Sequence, residues 1–224
     1  MPVLNGMPYL PKALKSIWDQ TAGVFPLHVW DNGSTDGTLE VLREWIPHRI
    51  PGRVFSGEPL SLGLSLRRLV EETPAEFCAR MDADDINLPK RLETQLEFMT
   101  RNPDVSLVGT ATQSIDESGA ILNKVFHYPE NWIEIRHATL NAPRLPHPSV
   151  VFRREAVLEA GNYADDSTSE SPYWCEDYDL WLRLMTQHRG YTIQQKLLYY
   201  RVNLNGLSSN EQKLGPSKVG RLRA

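Results

Sequence analysis

Residues 76–91 read EFCARMDADDINLPKR. The run EFCARM has the look of a buried strand, and it leads straight into three aspartates within four positions, Asp82, Asp84 and Asp85. Two carboxylates about 5 Å apart repel by roughly 3 kcal/mol at an effective dielectric near 20, so the crowding calls for a positive partner. In an extended segment, residues two apart point the same way, which lets Asp82 and Asp84 share a ligand. A hard cation of the Mg²⁺ or Mn²⁺ kind suits them, because such ions prefer oxygen donors and commonly bridge to substrate phosphates. A plainer use stays open: Asp84 and Asp85 could cap a helix opening near Leu88-Pro89, since proline suits a first helical turn. One cap needs one aspartate, and three are present.

Working outward, the first half alternates strand-like and helix-like segments. MPVL is a strand stub, and YLPKALKSIWDQ places Leu10, Leu14, Ile17 and Trp18 on one helical face. PLHVW is a short strand ending at Asp31. STDGTLEVLREW carries Leu39, Leu42, Trp45 and Ile46 at helical spacing, with Ser34 or Asp36 as N-cap. RVFS, SLGLSLRRLVEE and EFCARM read as strand, helix and strand. This βαβαβαβ order predicts a doubly wound α/β fold. Its sheet is mostly parallel, with helices on both faces and ligands at the carboxyl ends of the strands, where Asp31 and the aspartate cluster fall. After the helix PKRLETQLEFMTRN, the second half predicts a hairpin through ESG, a helix around Trp132 to Leu140, and the loop NAPRLPHP. The strand SVVFR, the helix CEDYDLWLRLMTQH and the strand TIQQKLLYYRV follow. Residues 210–224 form a polar tail expected to fray. The first strand has at most four residues, fewer than the five or so of a usual strand.

The totals narrow the classes. The 224 residues suffice for one large domain or two small ones, with 41% hydrophobic and 23% charged residues. A formal net charge of -4 argues against a nucleic-acid partner. Cys78 and Cys175 lack metal-ligand spacing and a disulfide framework is not expected, which favours a reducing compartment. No stretch reads as a transmembrane helix or a signal peptide, so a soluble protein, or one touching a membrane only at its surface, is expected.

Familiar acidic motifs fit poorly. An Asp-x-Asp phosphatase of the haloacid dehalogenase type needs Thr or Val where Ile86 stands, and a calcium loop from Asp31 would need Glu where Leu42 stands. Four segments together instead resemble the inverting GT-A glycosyltransferases of family 2, of the bacterial cell-surface polysaccharide type. MPVLNGMPYLPKALKSI is similar to that family's opening, VWDNGSTDGT to its second-strand motif, ARMDADDINLPKRLETQ to its DxD segment, and CEDYDLWLRL, led up to by HPSVVFRREAVLEAGNY, to its ED helix.

The resemblance implies a GT-A fold with a smaller acceptor-side subregion: a nucleotide-sugar-binding half over 1–104 and an acceptor-binding, catalytic half over 105–209. It implies that Pro2, Val3, Leu4 and Asn5 line the base pocket, that Asp31 accepts from the base, and that Asp82, with Ala83 beside it, contacts the ribose. Asp84 would hold Mn²⁺ or Mg²⁺ against the diphosphate. Asp177 would be the catalytic base and Glu176 its support, with Arg183 further along the same helix. The donor would be a nucleotide sugar, a UDP-sugar first. The acceptor would be a saccharide or lipid-linked saccharide, met in the cytoplasm or at the inner face of the cell membrane. Leu69 stands where many relatives carry asparagine. His147 and Trp174, with Tyr173, are further acceptor-side candidates, and Arg67 and Arg68 either approach phosphates or face water. Glu176, Asp177 and Asp179 also suit a helix dipole without any catalytic role, and Asn32 to Asp36 also suit an Asn-Gly turn plus a cap. Two rival functions remain: an inactive nucleotide-binding module with a cut first strand, and a phosphohydrolase using Asp82.

Overall fold

The computed structural model describes residues 1–142, 144–165 and 176–203. Three short strands, β1 (Pro2–Val3), β2 (Leu27–Asp31) and β3 (Gly52–Ser56), form a parallel sheet. Helices α1 (Leu10–Trp18), α2 (Thr38–Trp45) and α3 (Leu62–Glu71) alternate with them, as the pattern predicts. Leu10, Ala13, Leu14 and Ile17 bury the inner stripe of α1 against Val29 and Leu42. Each fully buried leucine there contributes about 1.5–3 kcal/mol. Trp18, placed by periodicity on that stripe, is instead exposed. The α2 N-cap position falls to Gly37, and Asp36 Oδ1 accepts from Thr38 N. Ser61 caps α3 by accepting from Leu64 N.

The parallel run stops at three strands. The strand read from EFCARM shortens to β4 (Phe77–Ala79), which pairs antiparallel with β8 (Val151–Arg153). A mixed six-stranded sheet follows, in which β5 (Ile86–Asn87), β6 (Val105–Ile115), β7 (Ile121–Phe126) and β9 (Arg189–Arg201) join β4 and β8 in the order β4-β8-β6-β9-β5, with β7 on β6. Its spine is β6 (Val105–Ile115), buried along its whole length and parallel to the long β9 (Arg189–Arg201). The predicted hairpin is β6 with β7 (Ile121–Phe126); its turn is closed by Asp116 Oδ1, which accepts from Ser118 Oγ and Ala120 N. The fold is therefore α/β with helices and a mixed sheet, its parallel character confined to β1-β2-β3 and the β6-β9 pair.

One element went unforeseen. Ile86–Asn87 form β5, antiparallel to β9, directly after the aspartates. The next helix, α4 (Arg91–Arg101), starts only at Arg91, with Lys90 at its cap position and no capping side chain. Asp84 and Asp85 thus cap no helix, and the plain reading of the cluster falls. Helix α5 (Trp132–Thr139), capped by Asn131, α6 (Arg154–Glu159) and α7 (Glu176–Leu184) complete the chain. Trp181, Leu180, Ile135, Val157 and Tyr163 pack as one core beneath the second sheet. Among the described residues no helix is long and apolar enough to cross a membrane. The tail 210–224 lies outside the described residues.

Candidate active site

The loop after β1 is held by the loop after β2. Asn5 N donates to Ser34 Oγ (2.8 Å), Thr35 N to Asn5 Oδ1 (2.9 Å), Gly6 N to Thr38 Oγ1 (2.8 Å) and Met7 N to Asp36 Oδ2 (2.9 Å). Asn5 sits at φ 51°, a conformation asparagine tolerates better than most residues. Asn32 extends the clamp to the chain before α3: Leu60 N donates to its Oδ1 (2.6 Å) and its Nδ2 donates to Leu60 O. The polar run Asn32 to Asp36 is therefore more than a turn and a cap; it ties three loops together at the carboxyl ends of β1, β2 and β3. In this frame Pro2 and Val3 are buried, Leu4 and Asn5 face outward, and Asp31 is 1% exposed. Asp31 Oδ1 has no hydrogen-bond partner among the described residues.

The aspartate loop lies against this clamp. A Cβ on Gly6 would come within 3.6 Å of Ala83 Cβ. One carboxylate oxygen each from Asp82, Asp84 and Asp85 falls within 4.8 Å of the others. Two arginines supply part of the positive charge that the sequence called for. Arg80 is buried and forms an ion pair with Asp82. Arg201, at the end of β9, donates its backbone N–H to Asp85 Oδ1 (2.8 Å) and its Nε to Asp84 O (2.8 Å). Its Nη1 reaches the Asp116 and Glu117 carbonyls, and its guanidinium lies 4.4 Å above the Tyr9 ring. Neither arginine neutralises the Asp84 carboxylate. Burial and then the Asp82 charge push Asp84 up to about 6, and burial followed by both neighbours pushes Asp85 well above the usual range. Asp85 Oδ2 is buried without a partner among the described residues. An all-oxygen, undercompensated donor set of this kind fits a divalent cation.

The charge of Arg80 also meets that of Glu176, in the first turn of α7. Glu176 Oε1 lies 3.3 Å from His147 Nδ1, while His147 Nε2 lies 2.8 Å from the Tyr163 hydroxyl. Asp177 is half-buried and accepts from Tyr178 N (2.7 Å). Burial raises its pKa, His147 acts against the rise and Glu176 adds to it. The charge of Arg80 is felt by Asp84 and Asp85 and also by Asp177, His147 and Tyr163. The aspartate cluster and the acid pair thus both lie within reach of the charge of one guanidinium.

Several candidates turn out to do other work. His147, expected at the border of an acceptor site, is 6% exposed with both ring nitrogens facing protein groups, so it offers no nitrogen to a ligand. Arg67 donates to the Gly161 and Tyr163 carbonyls and pins that loop to α3; Arg68 is exposed beside Glu71. Arg183 joins Asp179 to the Ala160 carbonyl. Tyr173 and Trp174 lie outside the described residues. Sequence reading missed Arg80, Arg201 and Tyr163. Arg80 had a signal, an arginine at the end of an apolar run two residues before Asp82, on the same side of the chain. Arg201 and Tyr163 had none, because their partners are remote in sequence.

Comparison with known proteins places this geometry in a family. The profile described as glycosyl transferase family 2 matches residues 1–160. The chain is 30% identical over 203 residues to the O-antigen biosynthesis glycosyltransferase WbnJ of Escherichia coli, covering 87% of this chain and 75% of WbnJ. Among solved structures it resembles S. aureus TarS 1-349 in complex with UDP-GlcNAc, with a TM-score of 0.73 at 15% identity over 93% of this chain and 59% of that one. It also resembles the mannosyltransferase PcManGT from Pyrobaculum calidifontis in complex with GDP-Man and Mn²⁺, with a TM-score of 0.68 at 18% identity over 93% and 57%. The chain therefore spans less than two thirds of those two solved chains, and the likeness to them is one of fold. The fold is that of the GT-A enzymes, and the chain belongs to glycosyl transferase family 2.

Proposed function

We propose that the protein is a metal-dependent inverting glycosyltransferase. It would move a sugar from a UDP-sugar to a saccharide or lipid-linked saccharide in surface polysaccharide synthesis, on the cytoplasmic side of the membrane. The residues up to 104 serve the donor and those from 105 the acceptor and the chemistry. WbnJ, named for O-antigen synthesis, and the nucleotide-sugar complexes of TarS and PcManGT support the substrate class.

The observation that supports the reading is Arg80, which pairs with Asp82 and whose charge also acts on Asp84, Asp85 and Asp177. Asp31, with its unpartnered buried oxygen, accepts the ring N–H of the base, a contact open to uracil and closed to cytosine, which has no N–H at that ring position. Pro2, Val3, Leu4 and Asn5 form the wall beside it, and Asp82, steadied by Arg80, meets the ribose next to Ala83. Asp84 holds the divalent ion, with Asp85 behind it; when bound, that ion supplies positive charge to the departing diphosphate. Asp177 takes the proton from the acceptor hydroxyl as the hydroxyl attacks the anomeric carbon from the face opposite the leaving group. One displacement inverts that centre, with no covalent intermediate on the protein. Glu176 stands beside the base on the acceptor side. A phosphohydrolase using Asp82 as nucleophile is disfavoured, because the Arg80 ion pair holds and tames that carboxylate.

The test is a screen of nucleotide sugars, with and without Mn²⁺, by melting temperature, since a ligand bound only by the native state must raise it. UDP-sugars with Mn²⁺ are expected to raise it, and Asp84→Ala to erase the metal-dependent part. Asp177→Asn is expected to keep the shift and lose transfer. An unchanged metal-dependent shift in Asp84→Ala would overturn the assignment of the metal site.

A further inference from the structure

We propose that His147 is a positioning residue that donates its Nδ1–H to Glu176 and fixes that carboxylate beside Asp177, with Tyr163 setting the tautomer. The claim rests on the reading above in taking the Glu176–Asp177 pair as the reactive end of the site. His147 opens a single 3-10 turn, His147–Ser149, and is almost fully buried. Its two nitrogens face groups of opposite demand. Glu176 as an ionised carboxylate can only accept, and on that assignment Nδ1, 3.3 Å from its Oε1, carries the ring proton. Nε2 is then an acceptor, and the Tyr163 hydroxyl 2.8 Å away donates to it. All the donors point one way, from Tyr163 through the imidazole to Glu176.

The ring has little freedom to turn. Trp181 meets it edge-on, with centroids 5.7 Å apart at 89°, and Tyr163 lies 5.6 Å away. Tyr163 is itself anchored: its N–H donates to Asn162 Oδ1 (2.8 Å) and its carbonyl accepts from Arg67 Nη1 (3.2 Å). Burial pushes His147 down to about 3 and lifts Tyr163 above its ordinary value, so at neutral pH the imidazole is uncharged and the phenol keeps its proton. Contacts therefore link α3 to Tyr163, Tyr163 to His147, and His147 to the first turn of α7. A buried histidine that merely filled space would need no particular tautomer.

The experiment uses the full chain. Wild type, His147→Asn, His147→Gln and His147→Leu are compared for kcat, donor KM and the melting shift given by UDP with Mn²⁺. Asparagine can place an amide N–H near the position of Nδ1, whereas glutamine places it near Nε2. Leucine places none. A lost hydrogen bond to a charged group predicts a kcat roughly tenfold to a hundredfold lower in the leucine and glutamine variants. Asparagine is expected to restore kcat to within several-fold of wild type, with the UDP shift alike in all. In parallel, ¹⁵N NMR of the wild type at pH 7 is expected to show the neutral Nδ1–H tautomer, the less common one in free histidine, and Tyr163→Phe to disturb it. Equal kcat in all three variants, or a neutral Nε2–H tautomer in the wild type, overturns the proposal. A wild type that transfers no sugar sinks the enzymatic reading instead, and the tautomer then decides the positioning claim alone.

Discussion

Arg80 is buried, pairs with Asp82 and meets the charge of Glu176. Burial works against its charge, yet Asp82 beside it holds the guanidinium firmly protonated. Removing one partner of a buried pair leaves the other uncompensated, at a cost of about 3–5 kcal/mol. Asp82 is about one third exposed, so the lower end applies. Arg80→Met is expected to destabilise the fold by about 3 kcal/mol in chemical denaturation, and a loss below about 1 kcal/mol would show that the pair contributes little. Asp177 carries a pH signature. In the proposed role of base it works only when ionised, and its pKa is raised by burial, so activity is expected to be lost as pH falls, beginning above the range of an ordinary aspartate near 3.9. A kcat/KM profile with its acidic limb at or below 3.9 would contradict this. The aspartate cluster stood out in sequence because its chemistry lies in local spacing, whereas a role for Asp177 came only from the resemblance. Arg201 did not stand out, since its hydrogen bond to the Asp84 carbonyl spans 117 positions and no local pattern records it.

The clamp after β2 is a different case. Its turn and cap residues were visible in NGSTDGT, but their service to the loop after β1 was not, because hydroxyls and carboxylates suited to a turn look the same when they bond to a neighbouring loop. The Ser34 hydroxyl accepts from Asn5 N in an exposed setting, so its loss should cost about 1 kcal/mol or less. Ser34→Ala is accordingly expected to raise donor KM up to about fivefold with kcat unchanged; steady-state kinetics in which kcat falls and KM holds would sever the clamp from donor binding. Helix periodicity placed α1 to α4 well, while β4 and β5 escaped a correct reading for a physical reason. Strand direction and pairing are set by partners far along the chain, here β8 and β9, and three-residue or two-residue strands carry too few side chains for alternation to show.

At the scale of the whole molecule, the chain crosses from the parallel sheet to the mixed sheet through α3, between β3 and β4, and Asp82–Asp85 then link β4 to β5, the two ends of the mixed sheet's strand order. The α/β class was readable from the alternating order, and the mixed sheet was not, because β8 reaches β4 only after the chain has built β6 and β7. The same architecture puts Asp31 on the first sheet, while Asp85 is bonded to the last residue of β9 on the second. A nucleotide reaching from Asp31 to the aspartate loop would act as a rivet through two plates. Hydrogen–deuterium exchange should therefore slow in β2 and β9 together when UDP and Mn²⁺ are added, although the two strands share no backbone hydrogen bond. Protection of β2 alone would mean that the plates move independently and that the ligand fastens only one of them.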